Sequence, residues 1–141
     1  MSETVVVRGG PDGYRQEISD GRHVFAADEP VEVGGTDAGP GPYGLLLASL
    51  GACTSMTLQM YARRKGWPLE GVTVTLRHER IYAKDCEECE TEEGMVGRIH
   101  RDIAVAGPLT EEQRQALLAI AGKCPVHRTL TSEIVIRTQL V

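Results

Sequence analysis

Aromatic side chains are scarce in this chain of 141 residues: they make up 4% of it, with one Trp and one Phe. A core built from it must be mostly aliphatic. Positive charge is also short, with 15 Lys and Arg against 20 Asp and Glu, for a net charge of −5. The only basic cluster is Arg63-Arg64-Lys65. That balance argues against nonspecific binding of nucleic acid or of an anionic membrane. The N-terminal stretch has no basic region followed by an apolar segment, so no signal peptide is expected. The glycine spacing fits neither a phosphate loop nor a dinucleotide fingerprint. The four histidines form no HExxH motif, and no serine-hydrolase elbow is present.

What remains is cysteine chemistry. Four cysteines without a secretion signal suggest a reducing, cytoplasmic setting, where thiols are more often reactive or metal-binding than structural. The length suits one domain, residues 1–141, with a modest core. Apolar residues at 41% and charged residues at 25% are ordinary for a soluble protein.

Charge is absent from residues 45–62, in the middle of which sits Cys53. A Gly/Pro-rich loop precedes the run and the basic cluster with Gly66 follows it, so it reads as a helix with a cationic C-terminus. Its length is at the lower limit for a membrane span. It also carries Ser49, Thr54, Ser55, Thr57 and Gln59 and has no second apolar run as companion, which favours burial in protein. A helix apolar on nearly all sides is buried on all sides. So short a chain cannot easily surround it, so a second copy is expected to cover the rest.

The β-branched run at 4–8, the turn at 9–13 and the segments 14–19 and 22–26 around Asp20-Gly21 predict three strands joined by tight turns. Val72, Val74 and Leu76 alternate with polar residues, as do Ile99, Ile103 and Val105. With the acidic segment 84–94 between them, they predict a long antiparallel hairpin. Thr110-Glu111-Glu112-Gln113 has the capping-box form, and Gly122 suits the end of the helix that follows. Ile134, Ile136, Thr138 and Leu140 predict a final strand. Strands, helix, strands, helix and strand in that order make an α+β fold.

Cys124-Pro125 reads as a fresh helix start, with Pro at the first helical position and Cys124 as its cap. A thiol there faces unpaired N–H groups and the positive end of the dipole, which favour its thiolate. His127 and Arg128 would add positive charge. A buried structural thiol is the competing reading. Cys53 is a core thiol if the helix is continuous, and an activated one if the chain breaks at Gly51. Cys86 and Cys89 form a CxxC among six carboxylates. It reads as a plain surface loop, as half a zinc site with His78 or His100, or as a redox pair whose thiolates the local charge opposes.

Pro42-Tyr43-Gly44 with the run through Cys53-Thr54, together with Cys124-Pro125-Val126-His127-Arg128, resembles the OsmC/Ohr family. Asp28-Glu29-Pro30 and Lys84-Asp85-Cys86 resemble one OsmC-like subgroup. The resemblance implies an intertwined α+β homodimer, with antiparallel strands wrapped around central helices. It implies thiol-dependent reduction of small organic hydroperoxides at the dimer interface, with no cofactor and with a dithiol as reductant. Cys53 would be the peroxidatic cysteine and Cys124 the resolving one. Better-studied members of the family carry a Glu just before the central helix, which holds an Arg beside the thiolate. Tyr43 and Gly44 occupy those positions here, and Arg15 is the best-placed candidate for the cation. The alternatives are a binding or accessory protein on the same fold, or zinc binding through Cys86 and Cys89.

Overall fold

The computed structural model describes residues 2–141, in two compact units that divide after Leu46. In the first, β1 (Val6–Gly9), β2 (Gln16–Ser19) and β3 (Val24–Ala27) form an antiparallel sheet in the order β1-β2-β3. The strands lie within a residue or two of their expected positions. Asp20 makes the turn between β2 and β3. Its Oδ1 accepts the backbone N–H groups of Arg22 and His23 at 2.9 and 2.7 Å. Gly21, at φ 94°, supplies the left-handed step that an L side chain resists. The sheet buries little: Ile18 and Ala27 are enclosed, whereas Val6, Val7, Val24 and Phe25 are exposed.

Asp28 follows β3, and its buried carboxylate organises the loop beyond. It accepts from the backbone N–H groups of Glu29, Thr36 and Ala38 and from the Thr36 hydroxyl, at 2.7 to 3.2 Å. The loop folds back so tightly that a Cβ on Gly35 would lie 1.9 Å from the Glu29 carbonyl oxygen. One on Gly39 would lie 2.0 Å from that of Ala26. The Thr36 hydroxyl, foremost, and the backbone donors hold the Asp28 carboxyl below its usual pKa, against the opposing effect of desolvation. The unfolded chain therefore binds the proton more readily. The stabilisation is full above the ordinary carboxylate pKa of about 4 and is lost as pH falls through the lower, folded value. Asp28→Asn should lower the thermal midpoint at pH 7, and the gap to wild type should close as a melting series is taken below about pH 4.

The central helix α1 (Pro42–Lys65) begins in the first unit and runs without a break through Gly51 into the second. Leu50, Thr54, Leu58 and Ala62, spaced four apart, form its buried row. Gly51 is buried beside that row, and a Cβ there would meet Leu76 Cδ1 at 2.8 Å. The glycine lets the hairpin come close. The opposite side, with Ala52, Met56, Met60 and Arg63, is exposed. Gly66, at φ 71°, ends the helix beyond the basic triplet.

β4 (Gly71–Tyr82) and β5 (Met95–Ala106) pair antiparallel along their whole length, from Gly71 opposite Ala106 to Tyr82 opposite Met95. The acidic segment closes the far end, where the Ala83 N–H donates to the Gly94 carbonyl at 2.8 Å. α2 (Glu111–Ala121) has the expected capping box: the Gln113 N–H donates to Thr110 Oγ1 at 3.1 Å and the Thr110 N–H to Gln113 Oε1 at 3.0 Å. Gly122 ends α2 in ordinary right-handed backbone, at φ −71°. α3 (Pro125–Leu130) follows at once. Leu58 of α1 and Leu117 and Ala121 of α2 form the aliphatic core, with Tyr61, Trp67, Val72, Ile103 and Val105 against it.

The expected final strand is not formed. Residues 133–141 have no regular structure, and Ile134, Val135, Ile136 and Leu140 are all more than half exposed. Their alternation is that of a strand, but a strand exists only against a hydrogen-bonding edge, and among the described residues this segment has none.

Candidate active site

Cys53 and Thr54 lie side by side on α1. Thr54 belongs to the buried row, and Cys53, one residue round the helix, lies at its margin and is partly exposed. Because α1 does not break at Gly51, Cys53 is an interior helical residue. Its polar surroundings come from the start of α3 instead. Cys124 caps α3 with extended backbone (φ −66°, ψ 143°), and Pro125 takes the first helical position. Proline has no N–H, so the first donors of α3 are those of Val126 and His127. The Val126 N–H points at Cys53 Sγ at 3.5 Å and the His127 N–H at Cys124 Sγ at 3.3 Å. The two thiols are free, and the Cys53 thiol lies near enough to help hold the Cys124 pKa down. Residues 71 apart in sequence thus share one helix terminus.

Cys124 is fully buried. Burial pushes its thiol pKa up. The His127 N–H, the Cys53 thiol, the Thr54 hydroxyl and the nearby Arg101 charge outweigh that effect and hold it below the ordinary value. Cys124 is the helix cap that the Cys-Pro step in the sequence predicts.

Arg101 is the residue that the sequence reading missed. It lies on β5 opposite Leu76, and its guanidinium bridges α1 and α3. Nη1 donates to Thr54 Oγ1 at 3.1 Å, and Nη2 reaches His127 Nδ1 at 3.0 Å. A guanidinium has only donors, so Nδ1 must accept, which puts the imidazole proton on Nε2. Desolvation and the Arg101 charge both lower the His127 pKa. His127 is therefore a neutral ring, not the extra cation expected from its place in sequence, and Arg128 is exposed. The signal for Arg101 was a charge between Ile99 and Ile103, on the face of β5 where alternation calls for apolar residues.

Next to this group lies a cavity of about 450 Å³. Leu50, Ile99 and Leu130 give it apolar walls, and Arg101, His127 and Thr131 a polar side. Arg15, the candidate cation from sequence, is an exposed residue of the first unit, just before β2. The first turn of α1, which holds Tyr43 and Gly44, carries no acidic residue. Cys86 and Cys89 are joined in a disulfide with Cα atoms 5.5 Å apart. In that state neither sulfur is a thiolate ligand, and among the described residues no group of three or more His, Cys, Asp or Glu could hold a metal ion. His100, one proposed ligand, is hydrogen-bonded to Glu79 together with Arg98.

An α+β chain that brings two free cysteines together, one on a central helix and one capping a short helix, defines a class of two-thiol proteins. The chain belongs to the OsmC family: the family's model, described as OsmC-like protein, matches residues 35–139. Among solved structures it is similar to an OsmC-like protein from Mycoplasma pneumoniae, at TM-score 0.74 and 20% identity over 92% of this chain and 87% of that one. It is similar to the organic hydroperoxide resistance protein OsmC from Legionella pneumophila, at TM-score 0.65 and 24% identity over 93% and 90%. A third is the organic hydroperoxide resistance protein from Elizabethkingia anophelis with thiocyanate bound, at TM-score 0.64 and 19% identity over 93% and 89%. At these identities the likeness establishes the OsmC fold. No curated protein matches the chain at a significant level.

Proposed function

We propose that the protein is a thiol-dependent peroxidase that reduces small organic hydroperoxides in oxidative-stress defence, using Cys53 and Cys124. The observation that carries this reading is the meeting of two free thiols at the start of α3, one partly exposed and one buried. The Cys53 thiolate attacks the terminal peroxide oxygen. The O–O bond breaks, and the alkoxide takes a proton and departs as the alcohol. Cys53 is left as a sulfenic acid. The Cys124 thiolate attacks that sulfur and expels hydroxide, which leaves as water, and the disulfide forms. A cellular dithiol restores both thiols by exchange. No metal or organic cofactor takes part. The apolar walls of the neighbouring cavity favour an organic hydroperoxide over hydrogen peroxide. Arg101 supplies the fixed positive charge in this unit, and Arg15 is a second candidate for that task.

The working form in this proposal is a cytoplasmic, intertwined homodimer. The exposed side of α1, with Met56 and Met60, the poorly covered N-terminal sheet and the unpaired C-terminal segment all call for a second copy. The test of the function is consumption of cumene hydroperoxide with dithiothreitol as reductant. The expected result is many turnovers per protein, faster than with hydrogen peroxide. No consumption above that by dithiothreitol alone would favour a binding or accessory role on the same fold.

A further inference from the structure

The two sulfurs of the pair are not equivalent, and the difference matters for the return half of the cycle. Cys53 is partly exposed, whereas Cys124 is fully buried. An incoming thiolate must reach a sulfur along the S–S axis, so access favours Cys53. The polar groups gather at the other sulfur. Cys124 Sγ has the His127 N–H at 3.3 Å and Thr54 Oγ1 at 3.9 Å, and Arg101 is anchored to both residues through Thr54 Oγ1 and His127 Nδ1. Among the described residues, Cys53 Sγ takes the Val126 N–H, at 3.5 Å, and has its partner thiol beside it.

Thr54 has a single hydroxyl proton. It now goes to the Leu50 carbonyl, at 2.7 Å. The Arg101 N–H fills one lone pair of the same oxygen and so orients the hydroxyl. A negative charge on Cys124 gives that proton a better acceptor, and one bond rotation turns it to the sulfur.

Building on the peroxidase reading, we infer that the disulfide is reduced in one direction only: the reductant attacks Cys53, and Cys124 leaves as a thiolate into a site preformed by Thr54, His127 and Arg101. A dithiol thiolate forms an S–S bond to Cys53 Sγ as the Cys53–Cys124 bond breaks, and the bonding pair departs on Cys124. The second thiol of the reductant, deprotonated, displaces Cys53 from the mixed disulfide. The reductant leaves as its own disulfide, having supplied two electrons, and protons from it and from solvent complete the two thiols. A stabilised leaving thiolate speeds such exchange. Arg101 is here a positioning residue that acts through Thr54 and His127.

The experiment starts from full-length protein whose disulfide is formed with diamide, so that no peroxide step is involved. A limiting amount of 2-mercaptoethanol is added, the reaction is quenched with excess iodoacetamide, and the peptides are mapped. The expected adduct is on Cys53, with Cys124 alkylated. Arg101→Met and Thr54→Val should each slow reduction by dithiothreitol about tenfold, the worth of a hydrogen bond to a charged group. They should also move the appearance of thiolate absorbance at 240 nm to higher pH, and Thr54→Ser should restore both. Should Arg101→Met not fold, the Thr54 pair carries the test. A thiol adduct on Cys124, or variants that match the wild type in rate and thiolate titration, would overturn the inference. If diamide-formed disulfide behaves as expected but hydroperoxide never forms it, the peroxidase reading fails and this inference stands.

Discussion

Cys53→Ser should abolish hydroperoxide consumption, a loss of roughly a thousandfold or more, as expected when a nucleophile is removed. A serine hydroxyl at this position has neither the acidity nor the soft sulfur that attack on peroxide oxygen requires. The His127 imidazole has its Nδ1 occupied by Arg101 and is not free to serve as a base. Cys124→Ser should behave differently. It keeps the attacking thiol, so it should consume about one equivalent of peroxide and stop, with a sulfenic acid on Cys53 that dimedone labels. Peroxide loss followed in the presence of dithiothreitol separates the two. Wild-type turnover by Cys53→Ser would remove that residue from the reaction, and full turnover by Cys124→Ser would remove the resolving step.

The largest effect on stability should come from Leu58→Ala. Leu58 is fully enclosed, and it joins α1 to Leu117 and Ala121 of α2 and to the hairpin residues Val72, Ile103 and Val105. With few aromatic residues to fill space, the core relies on such aliphatic contacts. Truncation removes buried methyl groups and leaves a void between three elements that cannot all close on it, at a cost of about 2–5 kcal/mol. Typical domains have about 5–15 kcal/mol in total, so the variant should unfold at much lower urea. Leu118→Ala is the control. Leu118 is 59% exposed on the same α2 helix, and its loss should change stability by about 0.5 kcal/mol or less. Urea midpoints measured at one protein concentration decide the matter, and equal midpoints for the two variants would contradict the position assigned to the core.

Local chemistry was readable where it was self-contained. Thr110 and Gln113 announce a cap that needs no other part of the chain, and Asp20-Gly21 fixes its own turn. Cys124-Pro125 marks a helix start for the same reason, and the meeting of the two cysteine segments followed from the family resemblance. Arg101 was not readable as a site residue, because its role depends on three elements meeting: β5 carries it, α1 offers Thr54 and α3 offers His127. For His127, sequence proximity suggested a cation, but desolvation and the guanidinium facing it both lower its pKa. The C-terminal alternation failed in another way. Ile134 and Ile136 carry strand propensity, but pairing needs an edge, and none of the described strands offers them one.

The central claim is that Cys53 and Cys124 form one redox unit. The most direct measurement is peptide mapping by mass after reduced protein meets one equivalent of cumene hydroperoxide, followed by alkylation of any remaining free thiols. The account predicts a loss of two hydrogens localised to a cross-linked peptide pair containing Cys53 and Cys124. It would be contradicted if both cysteines were recovered alkylated, or if the new cross-link joined either of them to Cys86 or Cys89.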